Sequence, residues 1–176
     1  VDDATRIAFC GNATQALNTA LFGLLQPGDV VVTSSWEHNA VVRPLHVLEQ
    51  KGVVIRKIPP TQEGPLDLTA LEEALPGAKA LVLTHASNVT GAILPLQEAA
   101  ALAARHGCLV IVDAAQTAGV EEIKASWGLH VIAFAGHKGL LGPQGTGGLY
   151  VAPQVSVKPL IFGGTGSRSE EREQPS

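Results

Sequence analysis

Apolar residues recur at helical spacing over residues 12–25, behind the capping types Asn12 and Thr14, and the pattern stops at Gln26-Pro-Gly-Asp29. This predicts a helix. A run of Val and Thr at residues 30–33 reads as a buried strand, residues 34–39 as the loop leaving it, and residues 41–50 as a second helix that Gly52 ends. The alternation then repeats. A strand over residues 53–58 leads through a proline-rich connection to a helix capped by Asp67 or Thr69, which runs through Leu75 to a stop at Pro76-Gly77. Residues 80–84 form a third buried run, followed by a loop to Gly91 and a helix over residues 96–106, entered through Pro95 and terminated by Gly107. A fourth strand over residues 108–112 delivers Asp113, and a shorter helical segment is expected near residues 120–127. Residues 130–134 form a fifth strand that delivers His137 and Lys138, and a glycine-rich loop separates it from a sixth at residues 148–151.

Strands alternating with helices through short turns predict an α/β fold, three layers with a mostly parallel sheet covered by helices on both faces. In such sheets ligands bind beyond the carboxyl ends of the strands. His38, Asn88, Asp113, His137 and Lys138 each follow a predicted strand, so one crevice can hold them all.

Composition narrows the picture. With 176 residues, 45% of them hydrophobic and 16% charged, one well-buried domain is expected over residues 1–162. Residues 163–176 are glycine-rich and then polar, and read as a flexible tail. A net charge of −4 makes no electrostatic case for nucleic acid. The two cysteines cannot build a disulfide framework and match no zinc spacing, which points to reduced thiols, no metal site and a cytoplasmic protein. No apolar run reaches membrane-spanning length. The chain has no methionine and is expected to be a fragment.

Three parts of the crevice carry chemistry. Gly11-Asn-Ala-Thr14 opens a helix, so its N–H groups and the Thr14 hydroxyl either cap the helix or hold a phosphate at the positive end of its dipole. Asp113 ends a buried strand and needs a cation, from the protein or from a ligand nitrogen. Lys138, between an apolar strand and a glycine loop, is either a snorkelling surface residue or, partly desolvated beside His137, a nucleophilic amine. An anion cradle, a strand-end carboxylate and a reactive lysine together suit pyridoxal phosphate.

Gly11-Asn-Ala-Thr-Gln-Ala-Leu-Asn18, Glu37-His-Asn-Ala-Val41, Ser87-Asn-Val-Thr-Gly91, Val112-Asp-Ala-Ala-Gln116, Gly136-His-Lys-Gly139 and Gly142-Pro-Gln-Gly145 occur in this order. In them the chain resembles the large domain of the class V aminotransferase group, closest to cysteine desulfurases and selenocysteine lyases. The resemblance implies the large domain of the fold type I pyridoxal-phosphate enzymes, incomplete at its N-terminus and leading towards a C-terminal small domain. By position, Ala13 and Thr14 would bind the cofactor phosphate and His137 would contact it. His38 would stack on the pyridine ring, Asn88 would approach the ring hydroxyl or the substrate carboxylate, Gln116 would bond the ring oxygen and Asp113 would hold the pyridinium proton. Lys138 would bind the cofactor covalently and move protons at the substrate α-carbon. The catalytic set is Lys138, His38 and Asp113. L-cysteine or L-selenocysteine would be the substrate, alanine a product, a sulfur-acceptor protein a possible partner and a homodimer the expected assembly, with residues 163–166 near the second copy.

One position departs from the pattern. Ala135 stands where the group usually has a hydroxyl residue, which removes a phosphate contact worth about 1 to 2 kcal/mol. The group's sulfur-accepting cysteine, its substrate-carboxylate arginine and a threonine-bearing loop are expected beyond residue 176. Cys10, at a strand end, and Cys108 match no catalytic cysteine and read as packing residues. His46, His85, His106 and His130 match no motif and are expected to be structural or exposed. Three other readings remain. They are a class V aminotransferase or other lyase, a non-catalytic truncated module that binds the cofactor, and a nucleotide-binding doubly wound domain. The last lacks a Gly-x-Gly-x-x-Gly turn after the first strand.

Overall fold

The computed structural model describes residues 1, 3–62 and 64–163, and the tail expected over residues 163–176 falls outside them from residue 164 on. Seven strands make one sheet: β1 (Ile7–Cys10), β2 (Val30–Ser34), β3 (Val54–Ile58), β4 (Ala80–Thr84), β5 (Leu109–Asp113), β6 (Val131–Ala135) and β7 (Gly147–Val151). Four helices connect them: α1 (Ala13–Leu24), α2 (Asn39–Gln50), α3 (Leu68–Ala74) and α4 (Leu96–Arg105). The strand order is β1-β7-β6-β5-β4-β2-β3.

The ladders β2·β3, β2·β4, β4·β5 and β5·β6 are parallel, whereas β7 runs antiparallel to both β6 and β1. β1 therefore points the same way as the five parallel strands. Six carboxyl ends share one edge of the sheet, which is the mostly parallel α/β arrangement expected. α1 packs against α2, and α3 against α4. Every residue of β4 is buried, and because side chains alternate across a strand, both faces must be covered. The core between the layers is aliphatic, with Leu17, Leu21, Val31, Val32, Leu81, Leu83 and Ile111 fully enclosed.

The helical segment expected near residues 120–127 is a correction: it shrinks to a single 3-10 turn, Ala125–Trp127. Val120 is exposed and Glu121 and Glu122 face solvent, so no apolar stripe pays the cost of ordering a helix there. Smaller shifts have local causes. α2 begins at Asn39 rather than residue 41 because the His38 ring caps it, its Nδ1 accepting the Ala40 N–H at 3.1 Å. Cys108 lies just outside β5, its thiol directed at the Ala78 carbonyl at 3.1 Å.

Candidate active site

The connections create the crevice. β2 leads outward through α2 to β3, the chain then passes back beyond β2 to β4, and β4 leads inward through α4 to β5. The two neighbours β2 and β4 are thus left by connections running in opposite directions, the topological switch point at which open sheets bind ligands. A cleft opens there, and it is lined by all eight residues expected to hold the cofactor: Ala13, Thr14, His38, Asn88, Asp113, Gln116, His137 and Lys138.

One end of the cleft is built to meet an anion. Asn12 caps α1, its side chain accepting the Gln15 N–H at 2.8 Å, while the Gln15 side chain reaches back to the Gly11 N–H at 2.7 Å. The N–H groups of Ala13 and Thr14 keep no acceptor among the described residues and stand at the positive end of a 12-residue helix. Gly147 of β7 backs this turn: a side chain there would meet the Asn12 backbone at 2.8 Å.

At the other side stands Asp113, 3% exposed. Its Oδ1 accepts the Ala115 N–H at 2.9 Å, and among the described residues no cation lies within ion-pair distance. Burial pushes its pKa up. The Ala115 amide and the charges of His38 and Lys138 oppose that rise without the contact of an ion pair. A buried carboxyl with a free oxygen beside a cleft suits a protonated ligand nitrogen. Lys138 comes from the turn after β6, which closes through Leu141 N–H to the Lys138 carbonyl at 2.9 Å and Gly142 N–H to the Gly136 carbonyl at 2.7 Å. Leu141 takes a left-handed conformation, φ 57°, to complete the turn.

Glu37 is the residue that the sequence reading quoted but left without a role. As a residue it is only half-buried, but its carboxyl is walled in: Oε1 accepts Ser34 Oγ–H at 2.5 Å and Oε2 the Thr84 N–H at 2.8 Å. Burial pushes it up to about 8, the Ser34 and Thr84 hydrogen bonds oppose this, and the nearby Asp113 adds to it. Its position just after β2 was the available signal. Thr84 also lines the cleft, with its hydroxyl bonded to the Ala86 carbonyl at 3.0 Å.

The residues expected to stand apart do so. Neither Cys10 nor Cys108 lines the cleft, and burial raises the pKa of both thiols. His85 is buried against the Thr117 hydroxyl at 3.1 Å, and His130 accepts the Val110 N–H at 3.1 Å, so both serve the fold. His46 lies on the surface of α2, and His106 caps α4. Among the described residues no helix is long and apolar enough to cross a membrane.

Comparison with known proteins gives a consistent result. The aminotransferase class-V family matches residues 1–174. A probable cysteine desulfurase of Pyrococcus abyssi is 37% identical over 171 residues, covering 90% of this chain and 42% of the relative. The apo structure of a cysteine desulfurase from Thermococcus onnurineus NA1 superposes with a TM-score of 0.85 at 34% identity, over 90% of this chain and 42% of that one. A C-DES mutant with glycine covalently linked to its pyridoxal-phosphate cofactor superposes with a TM-score of 0.78 at 29% identity, over 86% of this chain and 42% of that one. The chain thus spans about two fifths of the length of these relatives.

Proposed function

The chain belongs to the aminotransferase class-V family, and from this we propose that it forms the cofactor-binding large domain of a pyridoxal-phosphate-dependent cysteine desulfurase, releasing alanine and transferring sulfur. One observation carries the reading: a single cleft brings the unpaired, buried Asp113, the open N-terminus of α1 and the Lys138 amine together. The residues fit the cofactor because each of its polar ends meets a group that lacks a partner of its own. When bound, pyridoxal phosphate supplies an electron-withdrawing ring that weakens the bonds to the α-carbon of an attached amino acid.

The protein's part follows from its side chains. Ala13 and Thr14 take the phosphate on their N–H groups, assisted by the Thr14 hydroxyl and by His137. Asp113 would accept the hydrogen bond of the ring nitrogen and keep its proton in place. His38 would cover the ring face, while Gln116 and Asn88 would hold its oxygen side. Lys138 would be the covalent anchor and, once the substrate amine had displaced it, its free amine would take and return the proton at the substrate α-carbon. Cys10 and Cys108 lie outside the cleft, so the sulfur-accepting thiol is neither of them. L-cysteine is the proposed substrate, with selenocysteine as an alternative and a separate protein as the sulfur acceptor. The loops that carry Asn88 and Lys138 expose Val89 and Leu141, which supports a homodimer closing over the cleft. The reduced thiols support a cytoplasmic setting.

Purified protein titrated with pyridoxal phosphate should develop the visible absorption band of a lysine-bound cofactor, and Lys138→Ala should lack it. With L-cysteine the chain alone should release neither alanine nor sulfide, because the sulfur-accepting thiol is neither of its cysteines, whereas a chain extended past residue 176 should release both. An unchanged band in Lys138→Ala removes the assignment of the anchor, and an extended chain that releases no alanine from L-cysteine removes the desulfurase reading.

A further inference from the structure

We propose that Glu37 is a positioning residue of this site: its carboxyl bridges Ser34 at the end of β2 and the Thr84 amide at the end of β4, holding the loop that presents His38 beside Asp113. The inference rests on the reading of the cleft given above but concerns a residue with no place in it so far.

The β2·β4 ladder ends at Thr33 opposite Val82, two residues before Thr84. Beyond that point the strands lead to different elements, and the Thr84 N–H has lost its strand partner. Glu37 Oε2 takes that N–H at 2.8 Å, replacing the missing ladder bond across the switch point. Oε1 is held at 2.5 Å by Ser34 Oγ, which also accepts the Trp36 N–H at 3.1 Å, and Trp36 is tied in turn through its indole N–H to the Pro65 carbonyl. The loop thus has three fixed points within four residues, and His38 follows directly. Its Nδ1 accepts the Ala40 N–H, which leaves Nε2 as the ring nitrogen that carries a proton.

The surroundings favour the acid form of this carboxyl. Asp113 on β5 lies near enough to oppose a negative charge on it. On its other side a cavity of about 270 Å³ brings His46 and Glu49 from α2 and Lys57 from β3 to the same wall. The Thr33 hydroxyl, buried without a partner, lines this cavity as well. As an acid, Glu37 reverses the 2.5 Å bond, its Oε1–H donating to Ser34 Oγ, and places no second negative charge beside Asp113.

The test uses protein prepared without cofactor, so that a failure to bind pyridoxal phosphate counts against the proposed function and leaves this inference to be judged separately. Nitrogen-15 NMR of the imidazoles should show His38 in the Nε2–H form in wild type and in E37Q, whose amide can still accept from Thr84 and donate to Ser34. E37A should lose that signature. If E37A does not fold, S34A, which removes only the β2 arm, is read the same way. Thermal melts supply the second readout. A carboxyl raised from 4.5 to about 8 gives stability that is complete below 4.5 and lost as pH rises through about 8, so wild type should fall relative to E37Q across that window. Where cofactor binds, E37A and H38A should each weaken it by about tenfold and the double variant no further. A His38 signature unmoved in E37A or S34A, parallel melts for wild type and E37Q, or additive losses in the double variant would overturn the proposal.

Discussion

Asp113 sets its proposed part in binding against the stability of the fold. Burial lifts its pKa above the ordinary 3.8, so the folded chain holds more protons than the unfolded one. The stability tied to this group is complete below 3.8 and lost as pH climbs through the folded value. Asp113→Asn keeps the acceptor for the Ala115 N–H and removes the buried charge. Without cofactor it should melt a few degrees higher than wild type at pH 7, a gain of about 1 to 3 kcal/mol that disappears towards pH 4. Its affinity for pyridoxal phosphate should fall at least tenfold, measured by absorption titration, because the ring nitrogen loses its anion. Asp113 and Lys138 were legible in the sequence because each follows a short apolar run, and that alone places them at the sheet edge. Glu37 was not, since its role depends on an amide 47 residues away that only the strand order brings near.

The elements hold the site by their backs. Gly147 of β7 lies against the Asn12 backbone and the Phe134 carbonyl, both at 2.8 Å from where a methyl group would sit. Neither neighbour is a flexible side-chain tip, so Gly147→Ala must push the start of α1 away from β7. We expect a loss of about 1 to 3 kcal/mol in chemical denaturation, and weaker phosphate binding even though the substitution touches no ligand. The four helices and strands β2 to β7 were legible from periodicity and from stops such as Pro76-Gly77 and Gly107, whereas β1, four residues with an exposed middle, was not given a range. The short segment before Trp127 was misread because acidic residues there imitate a helical pattern without a face to bury. The contact of Gly147 with α1 left no trace in the local sequence.

At the scale of the molecule, the two helix pairs and the sheet share one aliphatic core, so damage at its centre should spread to the cleft. Leu83, fully enclosed on β4 one residue before Thr84, is a direct probe. Leu83→Ala should cost about 2 to 5 kcal/mol in a denaturant or thermal melt, and should loosen the β4 end that carries Thr84. The parallel character of the sheet was legible in the strand and helix alternation, because parallel neighbours require crossovers. The insertion of β7 between β6 and β1 was not, because it depends on which distant segments pair. That pairing has a consequence during synthesis. β1 leaves the ribosome well before β7, its hydrogen-bonding partner, with Cys10 set opposite Gly147. At roughly 5 to 20 residues per second β1 waits on the order of 10 s for its neighbour. The Asn12 turn that follows β1 has no backing until then, so the cleft cannot be completed piecemeal and the sheet must close first.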